Sequence, residues 1–393
     1  LLLPQLILYL VFSLLLAAAY SSVVEYESSL PDNIKSLVKL DRTSVIAHRG
    51  LCGYYPEHSL LSHEKAFYAN ADHLEIDVNI TKDGVLVIAH NEWLDDNTDV
   101  NDKQEFDSYR RTYSVYGLKI ENKIFIKDLT LKQIKTLRLK QTNIQRDHQY
   151  DGLYSILTFD EYIEHFKELN RISNKTTGMY LEPKNPAFYE EHGIHMNNLV
   201  KESLIRHNLH TYLNYDDYVK FPVVLQAFSS SSLVYFSDKK SEVRLPLVAL
   251  NSWFKLNDFE FQARYADAIT VDASLLIFDR VDDLLVSQGV KYSSKEEFIE
   301  KVIIKLPEVS YENRKEKMMK STSNIVKRYF DLLKKPLIVY ALKDDEHLFN
   351  ENPEVEYTKL RDLGVNGYFS DFCPTAKKAL SNRRSRSKYR NLN

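Results

Sequence analysis

The chain has 393 residues, 44% hydrophobic and 27% charged, with 52 Lys and Arg against 55 Asp and Glu for a formal charge of −3. This is globular composition, which excludes a disordered chain, a collagen-like fibre and a multi-span membrane protein, and it supplies a sizeable core. A near-neutral body exerts no long-range pull on nucleic acid, so no nucleic-acid partner is expected.

Leu1 to Leu16 carry no charge, and Ala17, Ala18 and Ala19 precede the polar Tyr20-Ser21-Ser22. Such a run has the form of a secretory signal over residues 1–19, the alternative being a retained anchor. No later segment offers the ~18 uninterrupted apolar residues of a membrane span, so after cleavage none is expected. The chain is then secreted, periplasmic or in a secretory-pathway lumen, and only in a eukaryotic secretory route do Asn79-Ile80-Thr81 and Asn174-Lys175-Thr176 read as glycosylation sequons.

After a lead-in over 20–43, Ser44-Val45-Ile46-Ala47 reads as a short buried strand ending at His48-Arg49-Gly50. His73 to Val78 alternates polar and apolar residues, Thr81-Lys82-Asp83-Gly84 is a turn, and Val85 to Ala89 is a second strand ending at His90. No helix fits between these two strands, which predicts an antiparallel hairpin. The polar, weakly periodic stretch over about 95–157 is too long for a connection and reads as an inserted lid, with one helix start at the capping box of Thr130 and Gln133. Thr158 to Glu161 caps a second helix whose Phe159, Tyr162, Ile163 and Phe166 share a face.

Strands and helices then alternate. Strands are predicted at Gly178–Lys184, Phe221–Phe228, Pro246–Leu250, Ala268–Val271, Leu337–Leu342 and Gly367–Ser370, with helices near Asn197–His207, Phe259–Ala266, Ser323–Leu333 and Tyr357–Leu363. Residues 275–321 exceed one helix and read as a second surface elaboration. Residues 381–393, with Arg383, Arg384, Arg386, Lys388 and Arg390, read as a basic disordered tail. With the Val85–Ala89 arm set aside, eight strands remain, the number that closes a (β/α)8 TIM barrel over 44–380, of the α/β class.

Glu75 and Asp77, two apart on a strand, leave the same face, and Glu182 and Lys184 repeat that spacing on the next barrel strand. Three inward acids make an oxygen-rich site for one divalent cation, Ca2+ or Mg2+; the alternative is an exposed strand plus a Glu–Lys ion pair. His48 and His90 end strands at the rim where barrels gather catalytic groups, and as imidazoles they suit general acid and base work. Arg49 either forks onto phosphate or pairs with an acid. The other ten histidines, among them His165 and His207, are assigned to packing.

Taken together, His48-Arg49-Gly50, Pro56-Glu57-His58-Ser59, Glu75-Ile76-Asp77-Val78, Thr81-Lys82-Asp83-Gly84 and Val87-Ile88-Ala89-His90 resemble the glycerophosphodiester phosphodiesterase signature in order and spacing. Asp128-Leu129-Thr130, Glu182-Pro183-Lys184, Leu225 to Phe228 and Gly364 to Asp371 agree, and Gly53 to His58 is most similar to the long periplasmic bacterial branch. The resemblance implies a TIM barrel that hydrolyses glycerophosphodiesters, such as glycerophosphocholine, to glycerol 3-phosphate and an alcohol. It implies a divalent cation on Glu75, Asp77 and Glu182, phosphate contacts from Arg49 and Lys184, and proton transfer by His48 and His90. Glu57 belongs to the motif as a metal ligand or a support for a histidine.

The sequence departs from the family pattern at Asn91, where Asp is usual, at Asp96, where Arg is common, at Ala227 in place of Ser, and at Tyr340-Ala341-Leu342, which lacks the usual Trp-Thr. Because Cys52 and Cys373 follow the first and eighth strands, neighbours in a closed barrel, a Cys52–Cys373 disulfide is predicted, with two free thiols the alternative. Two other functional readings stay open: a lysophospholipase D or sphingomyelinase D type activity on lipids, with Tyr54, Tyr55, Phe228, Trp253 and Phe254 as candidate head-group aromatics, and a non-catalytic binding protein on the same barrel.

Overall fold

The computed structural model describes residues 30–238, 242–251, 262, 264–276, 335–346 and 352–381. The expected leader, most of the 275–321 elaboration, half of the helix expected over 259–266, the helix expected over 323–333, Trp253, Phe254 and the basic tail beyond 381 lie outside these residues. The described strands are β1 (Ser44–Ala47), β2 (His73–Ile80), β3 (Leu86–Ile88), β4 (Arg110–Val115), β5 (Leu118–Ile124), β6 (Gly178–Pro183), β7 (Val223–Ala227), β8 (Leu247–Ala249), β9 (Ala268–Asp272), β10 (Leu337–Leu342) and β11 (Gly367–Ser370).

Eight of them pair in parallel in the order β1-β2-β6-β7-β8-β9-β10-β11. The last returns to the first through Ser44↔Gly367 to Ala47↔Ser370, which closes the expected barrel. These strands read as apolar runs because one face of each fills the barrel and the other lies under helices; β1, β2, β6, β7, β8 and β11 are buried along their whole length. β3 adds antiparallel to the far end of β2, with Val78↔Ile88 and Ile80↔Leu86. This is the predicted hairpin, and it turns the chain back toward the rim.

The outer helix Phe159–Ser173 shows how the sequence sets an element. Thr158 accepts from the Glu161 N–H while the Glu161 side chain returns to the Thr158 backbone, and Phe159, Tyr162, Ile163, Phe166 and Leu169 form its buried stripe. The helix stops at Asn174, whose φ of 50° places it in the left-handed region. Ahead of the barrel, the lead-in forms the helix Asp32–Leu37 and buries Leu30, Ile34, Val38 and Leu40 on the main core.

The inserted region has a small core of its own, built from Leu94, Val100, Phe106, Ile124, Ile126, Leu129, Ile134, Leu137, Leu139 and Ile156 with Val87 and Ala89 of the hairpin arm. Its capping box at Thr130 is present but opens only the single turn Leu131–Ile134. The β4–β5 ribbon was not expected, since most of its residues are exposed or half-buried and show no apolar alternation.

The expected Cys52–Cys373 disulfide is not formed: both residues are buried free thiols. β1 and β11 are neighbours as required, but each sulfur is turned to a different partner. The Cys373 thiol donates back to the Ser370 carbonyl at 3.7 Å, and Cys52 faces the cleft with its sulfur 4.0 Å from the Arg146 Nη1. Of the two sequons, Asn79 is wholly buried, donating to the carbonyls of Ala89 and Asn91 and accepting from the Tyr189 hydroxyl, whereas Asn174 is exposed. A glycan at Asn79 is incompatible with the folded barrel. Among the described residues no helix is long and apolar enough to cross a membrane.

Candidate active site

Strand parity puts Glu75 and Asp77 on the inner face of β2, and the parallel register sets Asp77 directly opposite Glu182 of β6. All three are buried, at 2%, 1% and 4% exposure, and one oxygen from each lies within 4.8 Å of the others. Carboxylates held this close and dry repel one another unless positive charge joins them. Burial and the Asp77 charge push the Glu75 carboxyl well above its usual range. Burial raises Glu182 too, with Asp77 adding to the effect and Lys184 opposing it. Burial would also raise Asp77, but Lys184 and His58 overcome it and hold that carboxyl low.

Every neighbour of the three acids is a donor. Glu75 accepts from the Arg49 backbone N–H at 2.7 Å and from Gln226 Nε2 of β7 at 3.2 Å. Asp77 accepts from His58 Nε2 at 3.0 Å, and Lys184 stands 2.9 Å from Glu182 and 3.5 Å from Asp77. The Asp77 Oδ1 makes no hydrogen bond and faces only the Lys184 ammonium at 3.5 Å. An oxygen-only donor set with a buried carboxylate oxygen that accepts no hydrogen bond fits a hard divalent cation, and Glu75, Asp77 and Glu182 are the residues that would hold it.

The two histidines reach the same cleft by different routes. His48 follows β1 directly. His90 follows β3, whose antiparallel return brings it level with Asp77, the Ala89 N–H donating to the Asp77 carbonyl at 3.1 Å. Burial followed by the Arg49 charge pushes both imidazoles below their ordinary range, so both are neutral near pH 7. His48 Nδ1 donates to Asp371 Oδ1 at 2.7 Å, whereas His90 Nδ1 meets the neutral Asn91 Oδ1 at 2.8 Å.

Arg49 lies in the left-handed region at φ 55°, followed by Gly50 at φ 84°. This tight turn lets the Arg49 N–H reach Glu75, and only glycine fits after it, because a Cβ at Gly50 would stand 2.8 Å from the Ser62 backbone carbon. The Arg49 Nη1 pairs with Glu57 at 2.7 Å, and its buried Nε makes no hydrogen bond and lies 3.8 Å from Asp77 Oδ2. Glu57 therefore supports Arg49; it joins neither the carboxylate cluster nor a histidine.

These groups line an open cleft of about 470 Å³ together with Phe228, Leu250, Asp272, Tyr340 and Phe369. The sequence-predicted His48, His90, Arg49, Lys184, Glu75, Asp77, Glu182 and Glu57 all line it. His58, Gln226, Asp371 and Arg146 were missed as site residues. His58 and Asp371 lay inside motifs already singled out; Arg146, in a polar stretch without pattern, gave no signal.

Residues 48–375 match the Glycerophosphoryl diester phosphodiesterase family. The chain is 31% identical over 373 residues to glycerophosphodiester phosphodiesterase GDPD6 of Arabidopsis thaliana, covering 92% of this chain and 93% of that one. It is 32% identical over 195 residues to a glycerophosphodiester phosphodiesterase of Haemophilus influenzae, 47% of this chain and 50% of the relative. Its fold is similar to that of an Oleispira antarctica phosphodiesterase solved in complex with the product sn-glycerol-3-phosphate, at 18% identity and a TM-score of 0.51 over 88% of this chain and 99% of that one.

Proposed function

The chain belongs to the glycerophosphoryl diester phosphodiesterase family and is a glycerophosphodiester phosphodiesterase, and from that premise we propose a metal-dependent hydrolysis run by its two rim histidines. The observation that carries the proposal is the convergence of three buried carboxylates within 4.8 Å beside two neutral imidazoles in one cleft. The substrate is a small glycerophosphodiester such as glycerophosphocholine, and the products are glycerol 3-phosphate and an alcohol. The product bound by the Oleispira antarctica neighbour is of this chemistry.

Arg49, which lines the cleft, holds the phosphodiester through its guanidinium while Glu57 fixes that group from behind. Glu75, Asp77 and Glu182 would hold a divalent cation, which when bound would neutralise charge on the non-bridging phosphate oxygens. One of His48 and His90, neutral, takes the proton of the attacking hydroxyl as the P–O bond forms; the other, charged as imidazolium once the anionic phosphodiester lies beside it, delivers its proton to the leaving alkoxide as the second P–O bond breaks. Lys184 and His58 keep Asp77 ionised and in place.

Dialysis against EDTA is expected to abolish release of glycerol 3-phosphate from glycerophosphocholine, glycerophosphoethanolamine and glycerophosphoglycerol, with Ca2+ or Mg2+ restoring it. Added cation is expected to raise the melting temperature of the wild type and not that of Glu182→Gln. His90→Ala lowers kcat by about 10²- to 10⁴-fold. Activity untouched by chelation would overturn the metal dependence, and full activity in His90→Ala would remove the histidine from the reaction.

A further inference from the structure

The inserted region reaches the catalytic histidine through one arginine. Arg146, whose side chain is 7% exposed, donates from Nη2 to Asp371 Oδ2 at 2.8 Å, and the other oxygen of Asp371 accepts from His48 Nδ1 at 2.7 Å. The guanidinium is itself fixed on three further sides. Its Nε and Nη2 fork onto Asp345 at 2.7 and 3.0 Å, its Nη1 donates to the Cys52 carbonyl at 3.2 Å, and its plane lies 5.3 Å from the Phe372 ring. Asp371 follows β11 while Arg146 is 225 residues earlier, so only the docked insertion brings them together. Gln141, also from the insertion, donates to the Cys52 and Tyr55 carbonyls and holds the same contact.

We propose that Asp371 is the positioning residue for His48, and that Arg146 locks Asp371 in that role. This rests on the reading of His48 as a proton carrier in the reaction. A carboxylate only accepts, and with Oδ2 taken by Arg146 the Oδ1 accepts the His48 Nδ1–H. The proton is thereby fixed on Nδ1, and Nε2 is the bare nitrogen available to substrate in the cleft that His48 lines. His90 has no such device: its partner is the Asn91 amide, whose own Nδ2 donates to Asp96 Oδ2 at 3.2 Å. The two histidines are therefore held unequally, His48 by an ionised carboxylate backed by a buried arginine and His90 by a neutral amide.

The arrangement makes an unusual prediction about paired substitutions. In Asp371→Asn, Arg146 demands an oxygen, so the amide turns its NH2 to His48, Nδ1 must accept, and the proton moves to Nε2. On glycerophosphocholine, kcat is expected to fall by about 10²-fold or more with KM within about threefold. Arg146→Met alone lowers kcat by about tenfold. In the Asp371→Asn/Arg146→Met double variant the amide is free to turn its oxygen to His48, so kcat is expected to be about tenfold higher than in Asp371→Asn, where a purely structural role predicts a further loss.

A measurement on unmodified protein stands beside these variants: the histidine 15N spectrum of the wild type at pH 8 should show one imidazole, absent from His48→Ala, protonated on Nδ1 alone. The opposite tautomer overturns the proposal, as does a double variant no more active than Asp371→Asn. A fully active His48→Ala would instead overturn the reading of the site. An inactive His48→Ala with Asp371→Asn near wild-type activity overturns the positioning role alone.

Discussion

Glu75 and Asp77 sit two residues apart on one strand, yet their surroundings drive them in opposite directions: Glu75 upward by burial and by the Asp77 charge, Asp77 downward by Lys184 and His58. A cluster divided in this way holds one carboxyl low and two high, and a bound cation would lower the two raised ones. At the same scale, two departures from the family pattern are linked. Asn91 and Asp96 hydrogen-bond each other, and Trp93 Nε1 also donates to Asp96, so the charge sits one residue removed from His90 instead of against it. Exchanging them in the double variant Asn91→Asp/Asp96→Asn keeps the net charge and puts a carboxylate on His90 Nδ1. That raises the pKa of His90, and with His48 offering its bare Nε2 as the base and His90 serving as the acid, it should move the alkaline limb of the kcat/KM profile up by about one unit. A profile that superimposes on that of the wild type would show that His90 does not set that limb.

At the scale of elements, the signals that the sequence carried were local ones. The Thr158 capping box and the stripe Phe159, Tyr162, Ile163 and Phe166 specify their helix without help from the rest of the fold. Thr158→Ala should cost about 1 kcal/mol, seen as a lower denaturant midpoint with an unchanged m-value, and kcat should stay at the wild-type level because this helix packs on the outside of the barrel. The β4–β5 ribbon lacked such a signal. Its turn at Tyr116 and Gly117, at φ 52° and 78°, is the local feature that could have found it, but Tyr116 is not a usual residue for a left-handed turn position.

For the whole molecule, the decisive step is closure, and Asp72 fastens it. Its carboxylate accepts from the Val45 N–H of β1 at 2.9 Å and meets Lys39 of the lead-in at 3.1 Å, Arg42 at 3.4 Å and Lys377 of the last described helix, Cys373–Ser381, at 3.1 Å. Burial would raise this carboxyl, but Lys39 and Lys377 hold it well below its usual range. A carboxyl depressed in the folded state stabilises above its unfolded pKa of about 4, and that contribution is lost as pH falls below it toward the folded value. Asp72→Asn should therefore lower stability by about 2 kcal/mol at pH 7, with partly exposed partners limiting the loss, and the gap to wild type should narrow between about pH 4 and pH 2. An equal gap at pH 7 and pH 3 would show that the loss is one of packing.

The sequence by itself determined the barrel strands, the hairpin and the set of acids and imidazoles, because each depends on periods of two residues, on turn chemistry or on short motifs within a few positions of one another. Three carboxylates on one inner face follow from parity alone. Which groups stand against them did not follow. Gln226 on Glu75, Glu57 turned to Arg49, two free thiols past the ends of neighbouring strands and Arg146 behind Asp371 join segments up to 321 residues apart. Such meetings are fixed by strand register, by side-chain direction and by how the insertion docks, and a one-dimensional pattern contains none of these until the barrel has closed.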